Sequence, residues 1–219
     1  MPLDPNAYPA KSGLVNDLLE EQLTMLFGKL TAPVAFTCIL GDDPKSLEMA
    51  ALVNHIAALS PSLSARFLAP GEDPALDEAL DASLLPVTAV GGTRMVFHGV
   101  PGGKEITAFA SAILNAGGGA KPLDKFTLKD IGKIQKPMTV QICVSLACAH
   151  CCQLVANAHR VAWENPNVTV HMIDANLYPE LVERLDVQRV PLTVIDGKAK
   201  HPGGKTMAEL TTLLAKYKG

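Results

Sequence analysis

The chain has 219 residues, 48% of them apolar, with 19 Lys and Arg against 22 Asp and Glu. That is enough for one large domain or two small ones with a real core, while a net charge of −3 and the lack of a basic stripe argue against nucleic acid as a partner. No stretch approaches the roughly 20 apolar residues of a membrane helix, and Glu20, Glu21 and Lys29 break up Met1 to Leu30 too much for a secretory signal, so a cytoplasmic protein with no membrane partner is expected.

Apolar residues at helical spacing predict a helix over about Leu14 to Leu30. A strand is expected over Val34 to Ile39. Asp43 as N-cap and Pro44 as first helical residue open a helix to about Leu59. A strand near Leu63 to Leu68 and a polar loop follow. Strands near Val87 to Val90 and Met95 to His98 lead to a helix from about Lys104 to Asn115. Beyond Gly117-Gly118-Gly119, a short helix near Leu128 to Ile134 precedes a strand over Thr139 to Val144. The helix Cys151 to Trp163, the strand Val168 to Ile173 and the helix Tyr178 to Leu185 come next. The strand Leu192 to Ile195, a short strand near Ala199 and the helix Thr206 to Lys216 close the chain.

The order of elements repeats. Pro33 and Pro137, each leading into an apolar run, are 104 residues apart; Pro61 and Pro166 are 105 apart; Leu85-Pro86-Val87-Thr88 matches Val190-Pro191-Leu192-Thr193 at 105. Matched surroundings make duplication the better reading. Strands alternating with helices, then a hairpin and a last helix, imply in each half a central mixed β-sheet flanked by helices: an α/β fold in tandem. The halves are read as residues 1–118 and 119–219. Gly117 to Gly119 is the natural boundary, as a linker or as a helix C-cap and turn.

The chemistry lies in Cys148-Ala149-His150-Cys151. Five cysteines, Cys38, Cys143, Cys148, Cys151 and Cys152, are an odd and clustered set, which in a reducing compartment reads as redox or metal chemistry. Cys148 follows a strand and faces a helix N-terminus, where unpaired N–H groups and the positive dipole end favour the attacking thiolate, so its pKa is expected to be depressed. The two-residue spacer lets Cys151 resolve a mixed disulfide formed by Cys148, and a cationic His150 would stabilise the thiolate further. A zinc site would need two more ligands; His150, Cys152, Cys143, His159 and His171 are candidates, but they form no second knuckle motif. Cys38 and Cys143 lie in strand patterns and are expected to be buried; Cys152 is expected to pack. At the offset of 105, Asp43 and Ser46 stand where the first half would carry a dithiol.

Val190-Pro191 opens a strand about 40 residues after the dithiol, where thioredoxin-like folds place a cis-proline, and a cis bond is expected here. Taken with Gly41 to Ser46, His55 to Ser60, Phe97 to Glu105, the segment Val144 to Cys151, Asp174 and Gly197-Lys198, the chain resembles the N-terminal domain of the alkyl hydroperoxide reductase flavoprotein subunit, a pair of tandem thioredoxin-like folds. The resemblance covers about Leu18 to Lys216. Ala147, His150 and Cys152 depart from the residues usual in that family.

The resemblance implies a glutaredoxin-like protein thiol–disulfide oxidoreductase of peroxide detoxification and redox homeostasis. It would take electrons from a thioredoxin-reductase-like flavoprotein and pass them to a peroxiredoxin or other protein disulfide. It also implies that Glu105 reaches the dithiol and manages its protons, because ordinary thioredoxins use an Asp six residues before the first cysteine and that position is Ile142. The alternative is a solvent-exposed Glu favoured by the helix dipole. The expected catalytic set is Cys148, Cys151, Pro191, Glu105 and His150. No G-x-G-x-x-G in a strand–turn–helix setting precedes Gly219, so no cofactor beyond the redox-active disulfide is expected, and flavin is expected on a separate partner. The rivals are a general protein disulfide reductase or isomerase, and a metal-binding module built on the cysteine cluster.

Overall fold

The computed structural model describes residues 3–218. In the first half, helix α1 (Asp17–Phe27) precedes strand β1 (Val34–Ile39), helix α2 (Pro44–Ala58), strand β2 (Leu63–Leu68), helix α3 (Pro74–Leu80), strands β3 (Val87–Val90) and β4 (Met95–His98), a 3-10 turn (Gly103–Glu105) and helix α4 (Ile106–Ala116). In the second, helix α5 (Lys125–Ile131) precedes strand β5 (Met138–Val144), helix α6 (Cys151–Glu164), strand β6 (Val168–Asp174), helix α7 (Pro179–Arg184), strands β7 (Leu192–Ile195) and β8 (Ala199–Pro202) and helix α8 (Met207–Lys216).

Each half is a four-stranded mixed sheet, ordered β2-β1-β3-β4 and β6-β5-β7-β8, and the two fuse into one eight-stranded sheet through parallel pairing of β4 with β6. The pairs β1–β2 and β5–β6 are parallel; the hairpins β3–β4 and β7–β8 are antiparallel. Both Leu85-Pro86 and Val190-Pro191 are cis, as the matched sequences lead one to expect at Pro191.

The polar loop expected after Leu68 is in fact interrupted by α3. Asp73 caps it through a bond from Leu76 N–H at 3.2 Å, Pro74 fills its first position, and Asp81 ends it in the left-handed region. The repeat held the missing signal: Pro74 and Pro179, the first residues of α3 and α7, are 105 apart. Leu80 is the buried anchor, packed with Ile39, Leu68, Val87, Ala89 and Val96. The short helix placed near Leu128 to Ile134 begins earlier, at Lys125, because Asp124 accepts from the N–H groups of Phe126 and Thr127.

Gly117 to Gly119 adopts the C-cap reading. Gly117 N–H bonds Ile113 C=O at 2.9 Å and its own C=O accepts from Thr31 and Ala32. A Cβ on Gly117 would overlap Leu30, and Gly118 has φ +73°, so the segment is packed against the chain before β1.

The main core runs across the junction. Phe36 stacks on Phe109 of α4 at 5.7 Å, Phe109 meets Phe97 of β4 edge-on at 5.0 Å, and Phe97 touches the ring of His159 on α6 at 4.5 Å. All four are fully buried; burying each phenyl ring stabilises by about 2–3 kcal/mol. Cys38 and Cys143 are buried in this framework as expected, and burial pushes the thiol of Cys143 up to about 11.

Histidines also meet at the β4–β6 seam. His98 Nδ1 lies 2.9 Å from Leu84 C=O and its Nε2 lies 2.8 Å from His171 Nδ1. A carbonyl only accepts, so neutral His98 is protonated on Nδ1 and takes a hydrogen bond from His171. Burial holds His98 below its ordinary range, His171 at about 3 and His159 at about 4. These groups stay neutral when folded but protonate near pH 6.5 when unfolded. For His171 and His159 the stabilisation is therefore complete above pH 6.5 and is lost as pH falls toward 3–4, on the order of 2 kcal/mol each by pH 5. Thermal unfolding should show a marked drop in Tm from pH 7 to pH 5 that His159→Phe reduces; a Tm independent of pH over that span contradicts this account.

Candidate active site

The dithiol lies where β5 ends and α6 begins. Ser145 to His150 form the connection: Cys148 N–H bonds Ser145 C=O at 2.9 Å, and Cys151 is the first residue of α6. Cys148 and Cys151 form a disulfide, with Cα atoms 5.5 Å apart. The two sulfurs are not equivalent in access, since Cys148 is half-buried and Cys151 is fully buried. His150 is the N-cap residue of α6; it is exposed and makes no capping bond through its side chain. Cys152 is a half-buried free thiol whose sulfur lies 3.6 Å from Ala149 C=O.

Pro191 faces the same region. A groove of about 550 Å³ runs beside the dithiol, lined among others by His150, Gln153, Val190, Pro191, Lys205 and Glu209. Val190 makes no backbone hydrogen bond among the described residues, whereas Pro191 C=O accepts from Gly203 at 2.9 Å. The groove therefore presents the unpaired backbone of Val190 on the same wall system as Ala149 and His150, the two residues between the cysteines. Lys205, which no sequence motif singles out, closes the far wall by donating to the carbonyls of His201, Pro202 and Gly203 at 3.0–3.3 Å.

Glu105 enters from the other half. Its 3-10 turn packs against α6, and Lys104 N–H bonds Leu146 C=O at 3.0 Å, two residues before Cys148. Gly103 makes this approach feasible: its φ is +55°, and a Cβ would sit 2.7 Å from the Leu146 carbonyl oxygen. The Glu105 side chain is fully buried and neither carboxyl oxygen has a hydrogen-bond partner among the described residues. Burial, and then the negative charge of Asp174, push its pKa up to about 8. The solvent-exposed alternative for Glu105 is thus not what the structure has. Asp174, at the end of β6, is itself buried, and its carboxylate accepts from Asn176 N–H and Nδ2 at 3.1 and 3.2 Å.

In the first half, Asp43 and Ser46 occupy the dithiol positions. The Ser46 hydroxyl donates to the Asp43 carboxylate at 2.6 Å, and Asp43 also accepts from the N–H of Lys45 and Ser46. That is a helix cap with no redox chemistry. Among the described residues no three His, Cys, Asp or Glu side chains converge as a metal site requires, and no helix is long and apolar enough to cross a membrane.

Residues 138–215 match the model of a thioredoxin domain family. The F subunit of the Staphylococcus epidermidis alkyl hydroperoxide reductase is 28% identical over 214 residues, covering 92% of this chain and 38% of that protein. A Bacillus subtilis protein described as NADH dehydrogenase is 26% identical over 193 residues, covering 88% and 36%. The chain thus spans a little over a third of the length of these curated relatives. The crystal structure of the N-terminal domain of the Enterococcus faecalis alkylhydroperoxide reductase AhpF superposes with a TM-score of 0.85 at 30% identity, over 91% of this chain and 99% of that one. The chain belongs to the family of AhpF N-terminal domains. A protein disulfide oxidoreductase from Aeropyrum pernix, 18% identical, shares the fold at a TM-score of 0.83 over 92% of each chain. In this chain the Cys148–Cys151 disulfide belongs to the second repeat, and Glu105 comes from the first.

Proposed function

We propose that this chain is a protein thiol–disulfide oxidoreductase that relays two electrons from a flavoprotein reductase to the disulfide of a peroxiredoxin, in the reducing setting of the cytoplasm. The observation that carries this reading is a Cys148–Cys151 disulfide with only Cys148 accessible, beside the unpaired backbone of Val190, in a member of the AhpF family.

In the reduced protein, the Cys148 thiolate attacks a sulfur of the target disulfide. One S–S bond breaks, another forms between Cys148 and the target, and the departing target thiolate takes a proton. Cys151 then loses its proton and attacks the Cys148 sulfur, which releases the second target thiol and leaves the Cys148–Cys151 disulfide. The target gains two electrons and two protons, and the dithiol gives them up. The reductase module reverses this by supplying two electrons and two protons. The α6 N-terminus favours the thiolate of Cys148. Glu105, whose pKa of about 8 lies close to that of a thiol and whose 3-10 turn packs against α6, is suited in its carboxylate form to take the proton that Cys151 loses, and to return it from the acid form in the reverse direction. Pro191 and Val190 hold an extended target segment along the groove, and exposed His150 faces that segment.

The test is stoichiometric transfer. Reduced protein mixed with an oxidised peroxiredoxin should lose two thiols per target disulfide reduced, and a thioredoxin-reductase-like flavoprotein with NADH should restore them. Equal rates toward peroxiredoxin, insulin and small disulfides would instead make it a general disulfide reductase.

A further inference from the structure

Helices α3 and α7 cover one face of the fused sheet, each over its own apolar cluster. Leu80 packs with Ile39, Leu68, Val87, Ala89 and Val96, and Leu181 and Leu185 pack with Cys143, Ile173, Leu192 and Val194. Between the two clusters that face is polar. Thr139 and Gln141 on β5 alternate with the core residues Val140 and Ile142, and Thr169 and His171 on β6 alternate with Val170 and Met172. All four side chains therefore point away from the main core. Thr139 pairs with Thr169 and Gln141 with His171, and together they floor a cavity of about 630 Å³. Its wall is α3 and the residue that caps it, which present Glu78 and Asp81 beside the small side chains of Ala75 and Ala79.

One atom of the floor is a buried acceptor with no donor. His171 is only 6% exposed. Its Nδ1 faces His98 Nε2 at 2.8 Å, and His98 Nδ1 faces Leu84 C=O at 2.9 Å. The carbonyl dictates the rest. It accepts from His98 Nδ1–H, so His98 Nε2 is an acceptor and His171 Nδ1 carries a proton. The Nε2 of neutral His171 is then a bare lone pair. Burial keeps His171 neutral by pulling its pKa down to about 3. No group among the described residues donates to this Nε2, on a side chain that lines the cavity.

The rest of the lining has one sign. Glu78 and Asp81 supply carboxyls, and neither Lys nor Arg lines the cavity. Asp81 Oδ1 accepts from the Ser83 hydroxyl at 2.5 Å, and its Oδ2 has no partner among the described residues. Arg184 belongs to the adjoining hollow that shares Thr139 and Gln141, together with Asp196. The volume is that of a small-molecule site. Acceptors on the floor and on one wall call for a ligand with N–H donors and positive charge.

We propose that this cavity binds a small free organic cation, an amine or guanidine, which lies against Glu78 and Asp81 and donates to Nε2 of His171. Glu78, Asp81 and Thr93 come from the first repeat and the floor from the second. The ligand thus bridges the halves at the β4–β6 seam, on the sheet face away from α6 and apart from the dithiol chemistry.

The probe is agmatine, which carries a guanidinium and an ammonium group. It is titrated calorimetrically into the oxidised full chain at physiological salt, where loose attraction to the net charge of −3 is screened. Saturable binding of one agmatine per chain is expected, with a raised Tm. Glu78→Gln should weaken binding about tenfold, whereas Asp42→Asn, which removes an exposed acid outside the cavity, should leave it unchanged. In nitrogen-15 histidine spectra, His171 Nε2 should be unprotonated in the free protein, and its resonance should move as agmatine saturates. No saturable binding up to about 10 mM overturns the proposal. Equal weakening by Asp42→Asn, or equal binding of the dianion glutarate, overturns it as well. A proton on Nε2 in the free protein, or an Nε2 resonance that bound agmatine leaves in place, does the same.

Discussion

Cys148→Ser is expected to reduce disulfide reduction to background, by roughly 10³-fold or more, whereas Cys151→Ser should accumulate covalent mixed disulfides with partner proteins. The asymmetry follows from access. Cys148 is half-buried at the groove and Cys151 is sealed in the first turn of α6, so one sulfur meets the target and the other can only reach the first. Non-reducing gels and mass spectrometry of adducts read the result directly. Cys152, the residue after Cys151 and a half-buried free thiol, is the rival resolver. It sits one residue further along α6, with its sulfur toward Ala149 C=O, so Cys152→Ser should retain near wild-type turnover. Equal residual activity in the Cys148 and Cys151 variants would sink the assignment. A dead Cys152→Ser beside an active Cys151→Ser would transfer the resolving role to Cys152.

The segment from Lys121 to Gly219 expressed alone should be far less stable than the whole chain and slower toward reductase and target. Cutting there exposes the edge of β6 that pairs with β4 from Met95↔Val170 to His98↔Ile173, and strips α4 from α6. It removes Phe97 and Phe109 from the shared core, with the ring contact of Phe97 on His159. Deleting a whole buried phenyl from a packed core costs about 3–5 kcal/mol, against a total stability of only about 5–15 kcal/mol. The bared β6, buried along nearly its whole length in the full chain, becomes an edge open to intermolecular pairing. Glu105 and the Leu85 carbonyl that accepts from the Tyr178 hydroxyl go with the first half. Denaturant unfolding and sedimentation would show a shifted midpoint and association. If the fragment equals the whole chain in stability and in rate, the cooperation between the repeats is wrong.

Much of this architecture was legible in the chain because strands and helices are local statements. Val34 to Ile39 and Leu192 to Ile195 are short, mostly apolar runs, Leu63 to Leu68 is an apolar segment interrupted by Ser64 and Arg66, and the structure has strands over all three. The dithiol, its place before a helix and the matched prolines were equally readable, since spacing alone brings Cys148 to Cys151 and positions Pro191 at a strand start. Helix α3 was hidden by its polar composition, although the offset of 105 from Pro179 pointed to it. What no local pattern contained was the seam. Gly-Gly-Lys-Glu reads as an exposed helix start; only the positive φ of Gly103 and the bond from Lys104 to Leu146 turn Glu105 into a buried carboxyl without a partner among the described residues. His98 and His171 are 73 residues apart, and Tyr178 lies 93 from Leu85. Those contacts depend on β4 pairing with β6 rather than on any neighbour in sequence. The chain by itself therefore determined the repeat, its elements and the pairing of Cys148 with Cys151, because hydrophobic period, caps and cysteine spacing act over a few residues. The tertiary structure alone decided the fused sheet and the environment of Glu105, because burial and charge proximity arise only once distant segments are packed together.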